Sequence, residues 1–365
     1  MSLLASGNDL KLAIFGANVS HGCAISSVDG NIQVSWDETL RIAQTADAAG
    51  IEAMIPVARW KGFGGETNFN HRSFETYTWA AGLAQATGQI NILATSHVPT
   101  IHPVLAAKQA ATIDHISNGR FALNIVAGWN ASEIAMFGTP QREHDERYAV
   151  AEEWLTLIRQ LWTQEGFFDF EGRFFKCPHA YAEPKPVQKP HPPIMSAGVS
   201  DAGRRFAAQH ADLNFLLAPT LEIGEAILND VKTLARKDFQ REVQVWGMTS
   251  IVMGDTQADA EAYYHHYVHE KGDWEAASNM MSVFAPNSGS YSVEHEKEHL
   301  EVLVSGYSAF PIVGSVEQVA DQLIAMSNMG FDGLTLCWAN YDEGLARFNA
   351  EVMPLLEQAG VRRPL

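Results

Sequence analysis

Eight short apolar runs, each followed by a stretch of helical periodicity, limit the fold of this chain more than any other feature. The runs are KLAIFGA (11–17), IEAMIPV (51–57), INILATS (90–96), FALNIVA (121–127), PPIMSAG (192–198), ADLNFLL (211–217), VQVWGMTSIVM (243–253) and DGLTLCW (332–338). They are nearly continuous in apolar residues, the pattern of parallel strands covered by helices on their outer face. After the first run, Ser35 and Glu38 form a capping-box pair and Gly50 stops the helix they open. The spacing predicts further helices over about 72–87, 102–117, 144–163, 200–209, 221–237, 256–271 and 342–352. In the longest, Trp154, Leu155, Ile158, Leu161 and Trp162 share one apolar face. Eight such units predict a single-domain α/β fold, the closed (β/α)8 TIM barrel, for which about 250 residues are typical. The domain spans 1–365, and the excess length falls in insertions at about 164–191 and 272–313. The first insertion is aromatic and Pro-rich. The second has weak periodicity, and a connection that long favours a lid or binding role. A doubly wound open sheet also fits the alternation, but no GxGxxG follows a strand.

The chain is 46% hydrophobic with a formal net charge of -18. It can bury a large core, and its charge argues against nucleic acid or an anionic membrane as partner. No apolar run approaches the roughly 20 residues of a membrane helix. The opening MSLLASGNDLK lacks a basic region followed by a long apolar stretch. Cys23, Cys177 and Cys337 are far apart and odd in number. They argue against a disulfide framework and for a cytoplasmic location, and no metal-ligand spacing is present. Cys337, in an apolar run, is expected to be a packed thiol.

In a barrel of this type the site lies where the strands end. Strand four ends in Gly128-Trp129-Asn130, with Glu133 close behind. The loop after strand one places His21 near the rim. Arg59, Lys61, Gly62, Gly64, Gly65 and His71 follow strand two; Thr95, Ser96 and His97 end strand three; Trp338 ends strand eight. After strand five, Gly198 precedes Ser200, which opens a helix. Such an N-terminus presents free N–H groups to a phosphate, although Ser200 also fits a simple N-cap. No HExxH, GxSxG, Walker loop or paired carboxylates stand out. His21, His71 and His97 suit polar pocket walls better than metal ligands, so no metal is expected. A phosphate-type site, aromatic walls, several donors and few strong acids or bases suit a bound cofactor that carries the chemistry. Composition does not say which cofactor.

The runs ATIDHISNGRFALNIVAGW, EHDERYAVAEEWLTLIRQLW, FEGRFF and AEPKPVQKPHPPI occur in this order in the bacterial-luciferase-like flavin monooxygenases, which the chain resembles over nearly its whole length. GFGGETNF and AGVSDAGRRFAAQHADLNF are similar to the subgroup containing the pyrimidine ring-opening monooxygenases of uracil breakdown. NIVAGW and EHDERY are similar to the dimethylsulfone and other sulfone monooxygenases. The resemblance implies a two-component enzyme in which an NAD(P)H:flavin reductase supplies reduced FMN, and O2 oxidises a small organic substrate. It places flavin contacts on Ala58, Arg59, Asn124, Glu133, Arg147, Tyr148, Gly198 and Ser200, and the oxygen pair on Thr95 and Asn124. His21, His71, His97, Trp129 and Trp338 become candidates for the substrate side. Ser96, His97 and the NVSHGCAISS loop depart from the pyrimidine enzymes where substrate is expected, which argues for a substrate other than uracil or thymine. Heterocyclic amides, sulfones or sulfonates, and halogenated aromatics are the candidates. A homodimer or homotetramer is expected. The alternatives are an F420-dependent oxidoreductase on the same barrel, separable by cofactor titration, and a non-catalytic flavin-binding protein, which would consume no substrate-dependent oxygen.

Overall fold

A computed structural model describes residues 3–288 and 296–364; residues 289–295 of the second expected insertion lie outside the described residues. In chain order the strands are β1 (Lys11–Phe15), β2 (Ala53–Ile55), β3 (Asn91–His97), β4 (Phe121–Val126), β5 (Phe168–Glu171), β6 (Lys176–Ala180), β7 (Ile194–Ser196), β8 (Leu213–Leu216), β9 (Gln244–Gly254), β10 (Phe310–Ser315) and β11 (Gly333–Cys337). Each of the eight apolar runs contains one barrel strand. Those strands pair in the order β1, β2, β3, β4, β7, β8, β9, β11, all parallel, and β11 returns to β1 to close a (β/α)8 barrel. Burial on both faces explains their apolar continuity: every residue of β1, β2, β3, β7, β8 and β11 is buried.

The helices are α1 (Trp36–Ala48), α2 (Thr76–Ala86), α3 (Pro103–Ile116), α4 (Ala131–Ile134), α5 (His144–Thr163), α6 (Asp201–His210), α7 (Leu221–Phe239), α8 (Gln257–His265), α9 (Trp274–Ser288), α10 (Glu296–Gly306), α11 (Val316–Met329), α12 (Tyr341–Arg347) and α13 (Met353–Gln358). The Ser35–Glu38 capping box forms at the start of α1. No described helix is long and apolar enough to cross a membrane. Cys337 is buried, as expected of a packed thiol.

Both insertions contain more order than their sequences suggest. The first holds the antiparallel hairpin β5–β6. The second holds α9 and α10, then β10. Ala276, Ala277, Met280 and Met281 form the buried stripe of α9, and small residues in that stripe weaken its hydrophobic signal. β10 pairs in parallel with the distal half of β9, Phe310 opposite Thr249 through Ser315 opposite Gly254. It is half-buried along most of its length, as an edge strand must be, and so does not read as a core run. α11 follows it with its own capping box, Ser315 and Gln318, a unit the sequence expectations passed over.

Two anchoring devices position the site. On α5, Trp154 donates Nε1–H to the Ile101 carbonyl at 2.9 Å and Trp162 donates to the Ala107 carbonyl at 3.0 Å, pinning the helix to α3 and to the turn just before it. Arg120, just before β4, is buried and donates to the Ala84, Thr87 and Ile90 carbonyls at 2.8, 3.0 and 2.6 Å, closing the C-terminal end of α2. Arg120→Ala would strand these acceptors and should lower the unfolding free energy by about 2–4 kcal/mol in urea titrations. Arg120→Lys, with one compact charge instead of a planar fork, should recover only part of that loss.

Candidate active site

β3 and β4 lie side by side with Thr95 opposite Asn124. Thr95 donates its hydroxyl proton to the Pro56 carbonyl at 2.6 Å, so its lone pair accepts from Asn124 Nδ2 at 3.1 Å. This relay fixes the amide and leaves Asn124 Oδ1 buried with no hydrogen-bond partner among the described residues. Such an acceptor costs about 1–3 kcal/mol when unpaired. Asn124 lines a cavity of about 200 Å³ walled mainly by apolar groups, including Phe15, Val57, Val126, Phe215 and Leu217. Because side chains alternate along a strand, Thr95 and His97 line this cavity and Ser96 between them does not. Ser96 therefore departs from its expected place on the substrate side.

A second cavity, of about 90 Å³, adjoins the first: Val126, Trp129, Ala197, Val199 and Phe284 line both. Arg147, Tyr148, Gly198 and Ser200 line the second. Ser200 caps α6, its hydroxyl accepting from Gly203 N–H at 3.2 Å, so the expected capping geometry and an open helix N-terminus coexist. Gly198 and Gly203 permit a close crossing of the strand end and α6: a Cβ on Gly198 would lie 2.6 Å from the Gly203 Cα and 2.8 Å from the Tyr148 hydroxyl. Arg147 is buried. It donates to the Gly128 carbonyl at 2.7 Å and has no carboxylate partner among the described residues, while its Nε is unsatisfied. Burial lowers its pKa. A buried guanidinium beside a free helix N-terminus is suited to an anion, and to phosphate in particular.

Glu133 stands behind the larger cavity and does not line it. Its carboxylate meets Arg59 Nη1 at 3.2 Å and accepts from the N–H groups of Trp60 and Lys61 at 2.7 and 3.0 Å. Arg59 lines the cavity, lies over the Trp129 and Phe63 rings, and donates Nη2–H to the Tyr307 hydroxyl at 2.8 Å. Burial opposes the Arg59 charge, but Tyr307 and Glu133 outweigh it and raise the pKa. Tyr307 and Ser308 also line the cavity, with φ of 60° and 65°. Left-handed backbone at non-glycine residues costs on the order of 1–3 kcal/mol each and marks a place where the side chains matter.

Of the residues singled out in the sequence, Ala58, Arg59, Thr95, His97, Asn124 and Trp129 thus meet at one cavity, and Arg147, Tyr148, Gly198 and Ser200 at its neighbour. His21, His71 and Trp338 do not line either. His21 is held among loop groups, its Nδ1 within 3.0 Å of Asn31 Nδ2, and burial lowers its pKa. His71 is exposed and contacts the Asn68 carbonyl at 2.9 Å. Trp338 packs edge-on against Tyr341 and Phe348 below the mouth. The Gly62–Gly65 loop packs beneath the insertion: a Cβ on Gly65 would strike Asp273 at 2.3 Å. Among the described residues no group of side chains could hold a metal ion. The sequence expectations missed Tyr307, Ser308 and Phe284, all in the second insertion, where only SGYSAF hints at a constrained turn.

Residues 18–333 match the family model of luciferase-like monooxygenases. The chain is 31% identical over 357 residues to the pyrimidine monooxygenase RutA of Acinetobacter baylyi, covering 95% of each. It is 30% identical over 356 residues to an FMNH2-dependent dimethylsulfone monooxygenase of Pseudomonas putida, covering 96% of each. Among solved structures, a riboflavin lyase with modified FMN and riboflavin shares the fold with a TM-score of 0.85 at 21% identity, over 96% of this chain and 92% of that one.

Two outcomes follow from the charges at the mouth. Glu133→Gln leaves a buried Arg59 without its counter-charge and should cost about 3 kcal/mol or more of stability in denaturant titrations. Burial, assisted by Arg59, lowers the His97 pKa from 6.5 to about 4. Between those values the unfolded chain takes a proton that folded His97 refuses. The stability His97 contributes is therefore complete above pH 6.5 and is lost as pH falls through about 4. In the ligand-free protein His97→Gln should flatten that decline by up to about 3 kcal/mol, measured as unfolding free energy against pH; parallel curves for the two proteins would exclude His97 as the cause.

Proposed function

Because the chain belongs to the luciferase-like monooxygenase family, an FMNH2-dependent monooxygenase that uses O2, we propose that its two joined cavities hold one reduced flavin mononucleotide and, beside its ring, a small organic substrate. The observation that carries this assignment is Arg147, buried without an ion-pair partner among the described residues and set beside the helix that Ser200 caps. The residues fit the cofactor at both ends. Arg147, Tyr148, Ser200 and the N–H groups opening α6 form a phosphate cradle, and Asn124 Oδ1 is an unsatisfied acceptor suited to an N–H on the ring edge.

Bound in its reduced form, the flavin supplies the electrons with which O2 delivers one oxygen atom to the substrate and leaves the other as water. The chain binds, orients and shields. Arg147 neutralises the phosphate, and the α6 dipole adds to the attraction. Thr95 holds the Asn124 amide in one orientation, so its acceptor needs no rearrangement when the ring arrives. Phe15, Val57, Phe215 and Leu217 exclude water from the oxygen-activating side. His97 is neutral at ordinary pH and offers one N–H and one lone pair to the substrate. A separate NAD(P)H:flavin reductase supplies the reduced cofactor, in keeping with the FMNH2 dependence of the dimethylsulfone relative. The substrate candidates are heterocyclic amides and sulfones, after the two relatives, and beyond them sulfonates and halogenated aromatics.

Arg147→Ala should weaken reduced-FMN binding by roughly 1.5–3 kcal/mol in anaerobic titrations, the worth of a charged hydrogen bond; unchanged affinity would remove Arg147 from the site. Asn124→Ala should abolish product while the barrel unfolds as before, and full product yield would count against its placement. A screen of the candidate compounds with reduced FMN and ¹⁸O2, read by product mass, tests the reaction itself.

A further inference from the structure

We propose that Tyr307 is the donor that orients substrate in the larger cavity, and that this cavity selects a neutral molecule bearing an oxygen acceptor over an anion of similar size. The proposal rests on assigning the cavity to flavin and substrate. A phenol carries one proton, and the Tyr307 oxygen already accepts from Arg59 Nη2 at 2.8 Å. The proton therefore points elsewhere, and among the described residues no acceptor takes it. A donor whose oxygen accepts from a guanidinium is also a stronger donor, because each hydrogen bond polarises the next.

The ring is held in place. Phe15 packs edge-on at 6.2 Å and Phe69 lies at 6.1 Å. The turn that carries it is fixed by Tyr307 N–H to the Leu303 carbonyl at 3.0 Å and Ala309 N–H to the Gly306 carbonyl at 2.9 Å. That turn places Tyr307 and Ser308, not the adjacent Gly306, in the left-handed region. Gly306 serves a different need, since a Cβ there would lie 2.5 Å from the Ser250 Cβ. Glycine at 307 would relax the backbone, so the retained feature is the side chain.

The charge balance favours neutral ligands. Arg59 is the sole Arg or Lys among the described residues lining the larger cavity, and Glu133 matches its charge at 3.2 Å, both side chains at most 2% exposed. Arg147 belongs to the neighbouring cavity, with the phosphate. An anion entering beside Arg59 would leave water and meet a guanidinium already paired with Glu133, whereas a sulfonyl or amide oxygen gains the Tyr307 proton without a charge to desolvate.

Ligand-observed NMR titrations on the protein loaded with oxidised FMN test this directly. The probes are dimethyl sulfone and uracil as neutral acceptors, methanesulfonate as the anion, and dimethyl sulfide as a body without the acceptor oxygens. The wild-type protein should bind at least one neutral acceptor roughly 10-fold or more tighter than methanesulfonate, about the worth of one buried hydrogen bond. Tyr307→Phe should cut the affinity for that acceptor roughly 10-fold while dimethyl sulfide and FMN bind as before, a selectivity that loss of packing alone would not produce. Equal wild-type affinity for neutral and anionic probes, no binding of either neutral acceptor, or a Phe variant that keeps its affinity would each overturn the proposal while FMN binding stands. If Tyr307→Phe fails to fold, the wild-type comparison decides alone. Failure of FMN to bind would overturn the flavin assignment and this proposal with it.

Discussion

The buried pair of Arg59 and Glu133 joins two loops 74 residues apart in sequence. Removing either charge from water is expensive, and the pair is held by further hydrogen bonds: Arg59 donates through Nη1 and Nη2, and both Glu133 oxygens accept. Glu133 gathers Arg59 and two backbone N–H groups of the loop after β2, and Arg59 passes the connection on to Tyr307 at the far end of the second insertion. Three loops from different parts of the chain therefore share one electrostatic centre. The position of the cavity wall, and of Trp129 stacked beside Arg59, depends on that centre staying intact.

The opposite ends of the two cavities proposed to hold flavin stand on rigid elements. Asn124 is in the middle of a barrel strand, and Arg147 and Tyr148 are in the first turn of a helix that two tryptophans fasten to α3. Where the chain leaving β7 crosses α6, glycines at 198 and 203 let the two approach closely beside Tyr148. A long, flexible ligand gains affinity when its two anchoring points are set at a fixed separation before it arrives. The chain meets that requirement with secondary structure and leaves its loops to define the remaining wall.

Strands buried on both faces are legible as apolar runs, so the eight barrel strands and their helices could be read from sequence with only small shifts at the ends. Edge strand β10 could not, because four of its six residues are only partly buried and the Pro and Gly in FPIVGS break up its short apolar run. The polar groups at strand ends were legible in part. Asn124 and Arg147 were named through the family resemblance; a polar residue on an apolar strand and an arginine at a helix start fit that reading but do not by themselves mark a site. Glu133 was expected at the flavin, whereas it stands behind the cavity as the partner of Arg59, and an ion pair across 74 residues leaves no spacing to find. His21 and His71 follow strands in sequence, yet neither lines a cavity, although Arg59 in the same connection as His71 does, and no local rule says which residues of one loop turn inward. Tyr307 was invisible for a further reason, since its place at the cavity depends on a left-handed turn that the residue type disfavours.

β10 has a structural consequence for how the second insertion can vary. Its six-residue ladder with β9 ties down one foot of the excursion, and the bridge between Ser26 and Gly272 ties down the other. The span between two fixed feet can gain, lose or exchange residues without altering the separation of the feet or the register of the staves. The wall that Tyr307 and Ser308 give the larger cavity therefore hangs on a stretch of chain whose two anchors lie outside it, while Thr95 and Asn124 sit on barrel strands that the stretch does not carry.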